Sequence, residues 1–152
     1  MLPLTLLIGI TAGLRALLPI AVVSWAAHLG WLQLQGTWLA FFGSNVTAYV
    51  TTALALCELV TDKLPKTPSR KVPIQFATRI VTGALCGAAL GTPSGAMVFG
   101  LFLGAVGAVI GTLGGAAMRT RLTRAFGKDL PAALLEDAIA IGGAILVVSR
   151  FG

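Results

Sequence analysis

The sequence predicts an all-α, polytopic membrane protein. Three observations lead there. Of the 152 residues, 57% are hydrophobic and only 11% are charged, whereas soluble domains carry about a quarter charged residues. The mean hydropathy is +0.93. Apolar stretches recur at the length of a bilayer-crossing helix, about 20 residues, with short turns between them. About five membrane segments fit within a single transmembrane domain over residues 1–152.

The first segment, Leu2 to Leu29, contains Gly9, Gly13, Arg15 and Pro19. Two readings stand open. It is one tilted, kinked helix, or two half-helices broken near Gly13-Leu14-Arg15 that re-enter without crossing. Broken helices occur at membrane depth only where partners satisfy the freed backbone groups. With no charged leader and Arg15 interrupting its apolar run, the segment reads as retained rather than as a signal peptide. Trp25, Trp31 and Trp38, with His28, Gln33 and Gln35, follow as an interfacial belt.

The second segment covers about Thr37 to Leu64, with Glu58 and Asp62 at its end. A basic, proline-punctuated loop comes next, carrying Lys63, Lys66, Arg70 and Lys71 among Pro65, Pro68 and Pro73. The third runs from about Ile74 to Leu90 and includes Arg79, placed to snorkel. Thr92 reads as an N-cap before Pro93. The fourth, about Ser94 to Met118, is rich in glycine. A second basic stretch, Arg119, Arg121, Arg124 and Lys128, precedes a fifth segment capped by Asp129, with Glu136 and Asp137 two turns inside.

Every base between spans lies in two connections, residues 63–75 and 119–129. The positive-inside rule makes both cytoplasmic. It also accounts for the net charge of +6, so nucleic acid is not an expected partner. Cys57 and Cys86 lie far apart in apolar runs and read as free thiols. The sequon at Asn45 opens an apolar run and carries no weight.

Glycines repeat at four-residue steps: Gly9 and Gly13; Gly83, Gly87, Gly91 and Gly95, with Pro93 interrupting the helix; Gly100 and Gly104; Gly107, Gly111 and Gly115. Small residues at this spacing let helix backbones approach closely. The stripes suit tight packing within the chain or a homodimer seam.

Six ionisable residues fall in or at the ends of spans: Arg15, Glu58, Asp62, Arg79, Glu136 and Asp137. A charge at the bilayer centre costs about 2.5–3.5 kcal/mol, and such residues pair or line a cavity. Glu58 and Asp62 share one helix face, which calls for a cation between them: Arg15, Arg79, a metal ion or a proton. Glu136 and Asp137 point about 100° apart. Ordinary ion pairs with Lys63, Arg70 or Arg119 are the plainer account of the acids. His28, on the uncharged-loop side, faces away from them, which disfavours a histidine triad or a zinc site. A short echo links Leu54–Leu59 with Ala132–Asp137, each placing a glutamate in an Ala/Leu run.

Gly13-Leu14-Arg15-Ala16, the run from Glu58 through Asp62-Lys63-Leu64-Pro65-Lys66-Thr67-Pro68 to Arg70, Gly111–Gly115, and Leu134-Leu135-Glu136-Asp137 resemble the bacterial family catalogued as domain of unknown function 4126. The likeness covers nearly the whole chain. It implies a small multi-pass membrane protein and brings no activity with it; the expected location is the bacterial inner membrane. The first functional expectation is a transporter or channel for a small solute or ion, with the six charged residues lining its path. The bilayer is its partner, a homodimer forms through glycine-rich faces, and no cofactor is expected. The alternatives are a membrane-embedded, metal-dependent enzyme acting on lipid headgroups, and a structural scaffold.

Overall fold

The structure, a computed structural model, describes residues 1–64, 69 and 71–152. Six α-helices follow in order: α1 (Leu2–Leu14), α2 (Leu17–His28), α3 (Asn45–Thr61), α4 (Pro73–Gly91), α5 (Met97–Phe126) and α6 (Asp129–Val148). Short 3-10 turns at Trp38–Gly43 and Thr92–Ser94 precede α3 and α5. No strand occurs among the described residues. α4 with its 3-10 turn, α5 and α6 are long and apolar enough to cross a membrane, while α1, α2 and α3 are apolar but shorter. At 1.5 Å per residue, α1 and α2 reach only about 20 Å each, against a hydrocarbon core of about 30 Å. Lys66, Arg70, Pro65 and Pro68, which the sequence marks as topology signal and helix stop, lie outside the described residues.

The first segment is two half-helices that fold back on each other. α1 runs antiparallel to α6: Leu4 and Leu7 line a cleft with Leu146, Val147 and Arg150, Gly143 faces Thr11, and Arg15 meets Asp137. α2 then returns along α6. Val23 and Ala26 join Ala144, Val147 and Val148 in one buried cluster, and the Trp31 ring packs on Gly152. Both ends of this hairpin thus lie at one end of the bundle, and its tip, Arg15-Ala16, lies at depth. Pro19 explains the break. In a continuous helix its ring would clash with the Arg15 carbonyl, four residues back. Arg15 instead takes extended angles, φ −140° and ψ 116°, and Pro19 falls in the first turn of α2, where its missing N–H costs nothing.

α3 runs back toward the tip, bound to α2 by the hydrogen bond from Trp25 Nε1 to Thr52 Oγ1 at 2.9 Å and by an edge-on Trp25–Tyr49 contact. Ser44 caps its start by accepting from the Thr47 N–H at 3.1 Å. α4, α5 and α6 alternate in direction, so the connections after α3 and after α5 emerge at the tip end.

The glycine stripes are used inside the chain. A Cβ at Gly104 would strike the Gly83 carbonyl, one at Gly87 the Gly100 carbonyl, and one at Gly9 the Gly104 carbonyl. At Gly13 it would sit 2.5 Å from the Ala108 oxygen. These contacts bring α1, α4 and α5 to backbone-on-backbone distance. Gly114 and Gly142, by contrast, face open space.

Three boundaries differ from the sequence reading. The second segment's helix starts at Asn45, behind a 3-10 turn, and not at Thr37. The stretch from Arg119 is not a loop, because α5 continues to Phe126 and ends on Gly127 at φ +69°. Nothing between Met118 and Phe126 breaks a helix, and polarity alone does not. The left-handed glycine is the actual stop. Thr92 is not an N-cap either. Its hydroxyl donates back to the Ala88 carbonyl at 2.8 Å, and α5 begins at Met97 after Gly95 turns the chain.

Candidate functional site: a charge network around the hairpin tip

Breaking a helix leaves carbonyls unsatisfied on one side and N–H groups on the other. Here charged side chains satisfy both. Arg79 Nη1 donates to the Gly13 and Leu14 carbonyls at 2.8 and 2.7 Å, and the Thr112 hydroxyl reaches Gly13 O at 3.3 Å. On the other side the Ala16 and Leu17 N–H groups donate to Glu58 Oε1 and Oε2 at 2.8 and 2.9 Å. A cation thus sits at the C-terminus of α1 and an anion at the N-terminus of α2, the signs that both helix dipoles favour. Arg79 Nη2 lies 3.9 Å from Glu58 Oε1.

Arg15, between the two half-helices, is fully buried. Its Nε donates to Asp137 Oδ1 at 2.7 Å, and Nη2 pairs with the same carboxylate. Nη1 lies 2.6 Å from Asp62 Oδ2. The two Nη contacts are ion pairs at short range without hydrogen-bond alignment. Arg15 therefore bridges α3 and α6 through two acids. Asp137 also holds Lys63 Nζ at 2.5 Å, and Lys63 donates to the Leu59 carbonyl at 2.8 Å. Asp62 also holds Arg119 Nη1 at 2.6 Å. Arg119 reaches Glu136 at 3.4 Å and binds Asp129 through Nε and Nη2 at 3.0 and 2.7 Å.

All five acids of the chain belong to this one network. Among the described residues, four bases answer them: Arg15, Lys63, Arg79 and Arg119. It extends from Arg15, with no exposed surface, to Asp129, whose side chain is 58% exposed. The family model described as Domain of unknown function (DUF4126) matches residues 2–149. The chain belongs to that family. No curated protein and no solved structure gives a significant match.

In this DUF4126 chain, the six residues singled out from sequence, Arg15, Glu58, Asp62, Arg79, Glu136 and Asp137, meet at the tip. Arg79 does not snorkel; it is 3% exposed and turns inward to the α1 carbonyls. Glu58 and Asp62 share a face of α3, yet Glu58 turns to the α2 backbone and Asp62 to two arginines. Glu136 and Asp137 divide between Arg119 and Arg15, as their angular separation requires. Lys63, Arg119 and Asp129 join the network without having been singled out as site residues. Asp129 opens α6, and its carboxylate serves Arg119, with Lys128 as the cap residue. Among the described residues, no three His, Cys, Asp or Glu side chains are grouped to hold a metal ion. His28 closes α2 at the opposite end, 3.2 Å from the Gly43 carbonyl. The echoed glutamates, on α3 and α6, both join the tip network, but those helices run in opposite directions.

Glu58 caps the N-terminus of α2, which sets an expected result. Glu58→Ala leaves two part-buried N–H groups without acceptors and lowers stability by about 2 kcal/mol, the cost of a charge-assisted cap. Glu58→Gln keeps one acceptor oxygen and loses roughly half of that. Denaturant unfolding of the detergent-purified protein, followed by tryptophan fluorescence, measures both; equal losses would mean that Glu58 is not a cap.

Proposed function

We propose that this DUF4126 chain is a small membrane transporter or channel for a small anion. One observation carries the reading. A discontinuous helix hairpin has its two inner ends held by side chains, Glu58 and Arg79, where a continuous helix would use its own backbone. Half-helix ends at membrane depth are recurrent solute and ion sites, with positive N-termini facing anions. The Glu58 carboxylate occupies such an N-terminus and would act as a built-in occupant, with Arg79 beside it. Transport then begins when an external anion takes its place on the Ala16 and Leu17 N–H groups. Beyond the tip, a cluster that includes Ile8, Val23, Leu90 and Ala144 is apolar and buried, which fits a closed state.

In this reading the protein resides in the inner membrane, with the basic end cytoplasmic and both termini outside. A homodimer, where one forms, uses faces other than the glycine stripes, whose Cβ positions are filled from within the chain. The metal-dependent enzyme loses support, because each acid already faces an arginine, a lysine or backbone N–H groups. The scaffold reading keeps one observation in its favour: those pairings lock all six helices together.

The test is flux in proteoliposomes with chloride, nitrate, formate and inorganic phosphate as probes. The wild type should pass at least one of them. Glu58→Gln, which weakens the built-in occupant, should raise that flux about threefold or more, the effect of roughly 0.7 kcal/mol. No flux of any probe from folded wild-type and variant protein would favour the scaffold and overturn the proposal.

A further inference from the structure

The acids leave a remainder. Among the described residues, the five pair with Arg15, Lys63, Arg79 and Arg119, and none of those pairs takes in Lys71, Arg121, Arg124 or Lys128. These four bases are exposed at the tip end. Three of the four lie on or just past the extension of α5. That helix runs seven residues beyond Arg119, about 10 Å, as helix rather than loop. Arg119 turns inward to the network, with its side chain 15% exposed. Arg121 and Arg124, three residues apart, share one face of the same helix and point outward. Phe126 and Leu130, 52% and 55% exposed, flank them.

We propose that the last two turns of α5 and the turn into α6 form a binding surface for anionic phospholipid headgroups. The chemistry fits on three counts. Arginine presents a planar fork of donors that binds phosphate oxygens in pairs. The exposed Phe126 and Leu130 supply apolar surface for the acyl boundary beside those charges. An anionic leaflet stabilises each nearby Lys or Arg by about 1 kcal/mol, so the three bases of this surface favour an anionic over a zwitterionic lipid by roughly 100-fold. The inference is independent of the transport reading, because none of these residues belongs to the tip network.

Native mass spectrometry of the full-length protein, released from detergent with equimolar phosphatidylglycerol and phosphatidylcholine of the same chains, tests it. Wild type should retain phosphatidylglycerol preferentially, by at least about tenfold. The triple variant R121Q/R124Q/K128Q should retain both lipids equally, and R150Q, at the opposite end, should behave as wild type. Absence of preference in the wild type, or its persistence in the triple variant, overturns the proposal. So does displacement of the lipid by inorganic phosphate, which would mark a free-phosphate site, or by a short RNA, which would mark a nucleic-acid surface.

Discussion

Replacing Arg15 with leucine is expected to cost about 3–5 kcal/mol, the range for removing one partner from a buried ionic cluster. Among the described residues, Arg15 is the only group that ties the hairpin tip to both α3 and α6, through Asp62 and Asp137. Without it, among the described residues, four acids besides Asp129 share three bases, and Asp62 and Asp137 lose a buried cation. Lysine should rescue poorly. A single ammonium cannot present the fork that reaches two carboxylates on different helices. The double variant Arg15→Leu/Asp137→Asn removes one charge of each sign, and Lys63, already 25% exposed, can turn to solvent. Its loss should be smaller than the sum of the single losses by about 1–3 kcal/mol, the coupling expected of groups in contact. Denaturant unfolding of detergent-purified protein measures the cycle. Strict additivity would show that Arg15 and Asp137 do not act on each other.

The tip also shows what a sequence can and cannot tell about such a site. Gly9, Gly13, Arg15 and Pro19 within one apolar run left a break near Gly13-Leu14-Arg15 open, and the adopted hairpin was one of two readings. What chose between them is tertiary: α6 offers Asp137 at the depth of Arg15 and Ala144–Val148 along the returning α2. No periodicity within residues 2–29 encodes that. The acids were legible because carboxylates are so costly in hydrocarbon that each must mean something. Arg119 and Lys63 were legible as ordinary ion-pair partners of the acids, which is what they are, but not as members of one buried network, since a base beside a loop is already explained by topology. Which bases turn inward depends on helix phase: Arg119 faces Asp62, while Arg121, two residues on, points about 200° away. Gly127 was the one readable sign that α5 continued past Met118. A glycine after an unbroken helix-compatible run is a stop signal, and placing the end there would have put Arg119 on a helix with a defined face.

The glycine stripes allow the second large effect to be argued position by position. Gly104 sits where α5 touches both α4 and α1. Its missing side chain would strike the Gly83 carbonyl, and the Gly9 side would strike the Gly104 carbonyl in turn. These neighbours are backbone, and each is held in its own helix ladder, so none can swing aside as a flexible side chain would. Gly104→Ala should therefore cost at least the upper end of the overpacking range, about 3 kcal/mol. Gly104→Leu should prevent assembly of α1, α4 and α5 altogether. Gly114, ten residues along the same helix, faces open space. There alanine should be neutral or stabilising by up to about 1 kcal/mol, since glycine is the poorer helix former. Unfolding and size-exclusion chromatography of both alanine variants separate two ideas. A tolerated Gly104→Ala would refute the backbone contact between α4 and α5. A destabilised Gly114→Ala that shifts the protein to a smaller species would place a second copy against that open face, where the glycines left over from internal packing are available to meet it.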